Sequence, residues 1–115
     1  MKIWYQSYVD YENGKSYSDA LRVHLDQSCA SETTIDIRGI TPFDSYAHPL
    51  VEFRCAREMI CNAVHAEREG YDAVIVGHFQ DAGLYEARAA VDIPVIALGE
   101  ATMLYSCQLA QRLGI

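Results

Sequence analysis

Residues 72–85 read DAVIVGHFQDAGLY, and this stretch decides the fold. Ala73, Val74, Ile75 and Val76 make a short unbroken apolar run. Bounded by turn residues, such a run suits a parallel strand covered on both faces. Gly77 ends the strand, His78, Phe79, Gln80 and Asp81 follow, and Gly83 leads into a helix predicted over 84–91. In an open α/β sheet, ligands bind beyond the carboxyl ends of the strands. Exposed amides at the start of the following helix favour an anion there. His78 therefore stands where such folds do chemistry.

Upstream, residues 2–9 predict a first strand and 10–15 (DYENGK) a turn-rich loop. Ser16 and Asp19 have the spacing of a capping box, opening a helix to about residue 28. Residues 33–40 are rich in β-branched side chains and predict a second strand. Residues 41–48 form a loop long enough to reach over a site. Its Phe43 and Tyr46 either belong to a lid or pack the loop. Pro49 suits the first turn of the next helix. That helix runs to about residue 69 with a stripe of Phe53, Ala56, Ile60, Ala63 and Val64. Arg54 and Glu58 are expected to pair on its outer face, and Gly70 to stop it.

Downstream, residues 93–98 (IPVIAL) predict a fourth strand, and Gly99 and Glu100 open a last helix over 101–113. Strand and helix alternate four times without repeat or linker. The expected fold is α/β: a flavodoxin-like open parallel four-stranded sheet in order 2-1-3-4, with helices on both faces. The sequence stops one residue after Gly114, where another strand would begin, so the chain reads as part of a longer protein.

At 115 residues the chain suits one modest core. Nine Lys and Arg against sixteen Asp and Glu leave a net charge of −7, which disfavours nucleic acid and anionic membranes as partners. No apolar run approaches the roughly 20 residues of a membrane span, and the start is not a signal peptide. The expected location is the cytoplasm. Cys29, Cys55, Cys61 and Cys107 form no metal or disulfide spacing and are expected to be buried, reduced thiols, with Cys55 and Cys61 on different sides of their helix.

Four strand ends supply site candidates: Gln6, Ser7 and Tyr8; residues 41–44; residues 78–81; and residues 99–102. No phosphate loop, dinucleotide glycine pattern or zinc motif is present. A cobalamin-type D-x-H-x-x-G fails because Val76 occupies the Asp position, and a phospho-receiver would need an Asp where Gly77-His78 stands. Asp81 can cap the short helix as readily as touch a ligand, and Glu100 can favour its own helix start. Arg88 is expected to be structural, and His24, His48 and His65 to face solvent.

Residues 76–101, VGHFQDAGLYEARAAVDIPVIALGEA, resemble the aspartate/glutamate/hydantoin racemase family. Phe79, Asp81, Gly83, Leu84, Arg88, Ile93, Pro94, Val95, Gly99, Glu100 and Ala101 match its pattern; His78 replaces the family cysteine and Ala82 a proline. The resemblance implies an isomerase of two pseudo-symmetric lobes, each presenting one Cys to opposite faces of a carbon beside a carbonyl or carboxylate, with no cofactor. This chain would be the first lobe. His78 would be the catalytic residue, and Gln6, Ser7, Phe79, Gln80, Asp81, Gly83 and Glu100 would bind a small carboxylate or hydantoin-like substrate. A thiol with a free pKa of about 8.5 must ionise before it acts as a base, whereas imidazole, near 6.5, is already largely neutral at cellular pH. His78 is thus expected to act as base or acid. The alternative is a non-catalytic ligand-binding or interaction module of the same fold. The last helix, with Leu104, Tyr105, Leu109 and Leu113, is expected to form a homo-oligomer interface, most simply of a two-fold dimer; the alternative is that this side packs wholly on its own sheet.

Overall fold

The computed structural model describes residues 1–42 and 49–114. Its elements run β1 (Lys2–Gln6), α1 (Lys15–Ser28), β2 (Thr34–Arg38), α2 (Pro49–Arg68), β3 (Ala73–Val76), α3 (Leu84–Ala90), β4 (Val95–Ala97) and α4 (Leu98–Leu109). All strands are parallel, in the order β2-β1-β3-β4 expected from the alternation of signals.

The strands stop sooner than their apolar runs suggest. β1 ends at Gln6 because the Ser7 hydroxyl accepts the Val9 N–H (3.1 Å) and donates to the Val9 carbonyl (2.9 Å), folding the chain on itself. β4 begins only at Val95: Pro94 has no N–H to give, and the Ile93 N–H is held by Glu67.

Period-two alternation sends Trp4, Gln6, Val74, Val76, Val95 and Ala97 to one sheet face. There Trp4, Val74, Val76, Val95 and Ala97 join Met59, Ala63, Ala66, Leu84 and Ala87 of α2 and α3 in the main core. The other face carries Tyr5 and Ile37, met by α1. Its Ile96 is left 48% exposed.

The stripe expected on α2 is buried only in part. Ala63 is fully buried, but Phe53 is 74% exposed, and the other residues turned inward are Cys55, Met59 and Ala66. These recur at helical spacing, and the two alanines leave room for the Trp4 and Tyr71 rings, which meet edge-on at 5.2 Å. Glu58 pairs with Arg57 (2.7 Å). Gly70, at φ 77°, closes α2 with Tyr71 N–H on the Ala66 carbonyl and its own N–H on Glu67, a Schellman arrangement.

The Ser16–Asp19 capping box does not form: α1 starts two residues earlier with Gly14 as its cap, and Asp19 accepts the Tyr11 hydroxyl instead. Cys55 is buried and Cys61 exposed, on different sides as expected. Cys61 and Cys107 are not the buried thiols predicted. No helix among the described residues is long and apolar enough to cross a membrane. Most of the predicted 41–48 loop, with Phe43, Asp44, Tyr46 and His48, lies outside the described residues.

Candidate functional site

β1 and β3 are neighbours with Gln6 level with Val76, so two residues further on Tyr8 comes level with His78. Their rings stack with centroids 4.3 Å apart and planes 21° from parallel. The Tyr8 hydroxyl donates to the Ala82 carbonyl (2.8 Å), pinning the loop after β3 to the end of β1. Burial pushes the Tyr8 hydroxyl pKa well up, and nearby Cys55, Asp81 and Glu52 add to the shift. The amino-terminal part of α2 therefore overhangs the same place.

His78 is half-buried. Burial lowers its pKa below the ordinary 6.5 and outweighs the opposing pull of the Glu52 and Asp81 charges. Burial thus favours the neutral side chain over the charged one. Its Nδ1 is shut away from solvent and has no hydrogen-bond partner among the described residues.

Asp81 spans two elements. Its carboxylate accepts the N–H groups of Gly99 (2.8 Å) and Glu100 (2.5 Å), so it caps α4, 18 residues away, and not α3. It does so from a left-handed backbone, φ 53°, which Asp tolerates better than most residues. Gly83 is left-handed too, at φ 81°, and a Cβ there would lie 2.8 Å from the Ala56 carbonyl oxygen. The expected anion cradle is partly closed: Asp81 N–H bonds the His78 carbonyl and Leu84 N–H the Asp81 carbonyl.

The structure does not bring all the predicted site residues to one cleft. Gln6 is completely buried. Its side-chain oxygen accepts from Trp4 and Asn62, and its amide nitrogen donates to the Ser7 and Arg38 carbonyls, so nothing remains for a ligand. Ser7 is buried and tied to Val9. Glu100 is clamped by the two terminal nitrogens of Arg88, whose Nε also donates to the Val95 carbonyl. Arg88 thus ties α3 to β4 and to the start of α4. Phe79 and Gln80 are exposed at the rim. His24 and His65 face solvent, and His65 also bonds Glu69 (3.1 Å).

Sequence reasoning noted Tyr8 at a strand end without pairing it to His78, and passed over Glu52. Among the described residues no group of three His, Cys, Asp or Glu could hold a metal ion.

A family model described as Asp/Glu/Hydantoin racemase matches residues 15–115. The chain belongs to this family. No curated protein sequence matches it. Among solved structures, it is similar to an allantoin racemase from Klebsiella pneumoniae, with TM-score 0.77 and 19% identity, covering 94% of this chain and 43% of that one. At that identity the likeness shows a shared fold. The racemase-family chain described here spans less than half the length of that relative.

Proposed function

We propose that this chain is one lobe of a cofactor-independent, cytoplasmic racemase-type isomerase acting at the α-carbon of an amino acid, hydantoin or related small carboxylate. The observation that carries the proposal is the placement of His78 just beyond the carboxyl end of β3, the position at which the sequence resemblance implies the family's cysteine. Removing a proton beside a carbonyl moves charge onto oxygen, so such a site needs groups on both sides of the carbon and a donor for the oxygen. His78 is the group this lobe contributes. Phe79 and Gln80, exposed and next in the chain, would contact the substrate beside it.

The opposite side of the substrate requires a second lobe. A second copy of this chain is the simplest source, as a two-fold dimer imitating the pseudo-symmetry of the family. The solved relative is a little over twice as long as the part that matches, so two copies supply a similar amount of protein.

The test is exchange of the α-proton of aspartate, glutamate and hydantoin in deuterated water, followed by NMR at high protein concentration. Slow exchange is expected, lost in His78→Ala with unfolding unchanged and altered in His78→Cys, which restores the family thiol. Undiminished exchange in His78→Ala would remove His78 from the mechanism. The unpartnered Nδ1 favours a second reading, a ligand-binding module without chemistry. Binding of those compounds with no exchange would select it.

A further inference from the structure

A histidine base needs its reacting nitrogen unprotonated, and the other nitrogen must then carry the proton and find an acceptor for it. In His78 that other nitrogen would be Nδ1, because Nδ1 is the one closed off from solvent. The surroundings offer it no acceptor among the described residues. The Tyr8 ring covers one face of the imidazole. The Tyr8 hydroxyl is spent on the Ala82 carbonyl, and the Ser7 hydroxyl on Val9. Asp81 gives both carboxylate oxygens to α4, and the His78 carbonyl already accepts the Asp81 N–H. A buried N–H without an acceptor is rarer in folded proteins than an under-satisfied lone pair.

We infer that His78 rests with its proton on Nε2 and meets its ligand as a neutral hydrogen-bond donor to a carbonyl or carboxylate oxygen. The charged form is disfavoured by burial, and of the ionisable groups around the ring, Glu52 from α2, Asp81 from the same loop and Tyr8 from the end of β1, none reverses this. A neutral imidazole N–H strengthens its bond as charge develops on an enolate oxygen, without giving up the proton. In the racemase-type reading, on which this chemistry rests, His78 then stabilises the intermediate. Removal of the α-proton then falls to a base other than His78: solvent or buffer in the two-fold dimer, whose second copy presents the same N–H, or a basic side chain where a different second lobe covers the site.

The test uses the 115-residue chain labelled with nitrogen-15. Long-range proton–nitrogen correlations at pH 7.5 distinguish N–H from bare ring nitrogens. His78 is assigned by contact of its ring protons with the Tyr8 ring and by its absence in His78→Gln. The expected spectrum has Nδ1 bare and Nε2 protonated. The reverse pattern, or protons on both nitrogens, overturns the inference, and these shifts are read on the unsubstituted chain whatever a variant does.

A titration with hydantoin adds a second arm. Gln offers an N–H at the reach of Nε2, so His78→Gln should bind within about threefold of the unsubstituted chain, while His78→Ala loses roughly tenfold. Equal losses in both variants would overturn the donor role. Absence of hydantoin binding by the unsubstituted chain would count against the racemase-type reading, and the nitrogen shifts would still decide the tautomer.

Discussion

The ring of Tyr8 does two things for His78: it excludes water from one face, and its hydroxyl holds the loop the histidine sits on. Tyr8→Leu should therefore cost about 1–2 kcal/mol in urea unfolding. It should also let the His78 pKa rise back toward 6.5, read by NMR titration. Tyr8→Phe, which keeps the stack, should lose only the hydrogen-bond part. The sign for stability follows from the lowered pKa. The unfolded chain takes up the His78 proton first, so the contribution is complete above about pH 6.5 and is lost as pH falls toward the folded value. Tyr8→Leu should shrink that acid-side loss, and an unchanged His78 titration would show that Tyr8 does not control it. The pairing was half readable, since a 2-1-3-4 order makes β1 and β3 neighbours, while the register that sets residues 8 and 78 level is seen only in the structure. The spent hydrogen bonds of Gln6 were not, because Asn62 reaches it from across the core, 56 residues away.

Strands and helices were legible where one signal dominated: β3 from its apolar run, α2 from its length and its Pro49 and Gly70 ends. The buried side of α2 was not, because apolar residues occur nearly all round it. The bulk of Trp4 and Tyr71 settles the matter by selecting small partners, Ala63 and Ala66. The same close fit recurs where α3 begins under α2. Gly83→Ala should cost about 1–3 kcal/mol, since a side chain must take φ 81° and displace the Ala56 carbonyl. Urea unfolding that places the variant within 0.5 kcal/mol of the parent, inside the ordinary scatter of about 0.5 for harmless substitutions, would mean that α2 yields there at no cost.

For the molecule as a whole, α4 tells against one of the two expectations for the last helix. Leu104, Tyr105 and Leu109 are 64%, 63% and 72% exposed, so this face is not packed on the chain's own sheet. Ile96 adds an uncovered apolar side chain on the sheet face. A stable interface covers roughly 800 Å² on each partner. If α4 supplies the centre of one, sedimentation velocity should show a dimer that Leu104→Lys with Leu109→Lys converts to monomer. A monomer at all concentrations would sink the two-fold arrangement. The sequence could name these leucines but not their exposure, since an apolar face looks alike whether its partner is the same chain or another.

The clasp by Asp81 ties local fluctuation in the two segments together. The leading amides of a helix ordinarily lack intrahelical acceptors and trade their hydrogens with water first. In α4 those of Gly99 and Glu100 are locked onto the loop that bears His78. The front of the helix can open only when that loop lets go, so α4 unravels from its far end at Leu109, and the histidine keeps its place through every partial opening short of the one that frees Asp81.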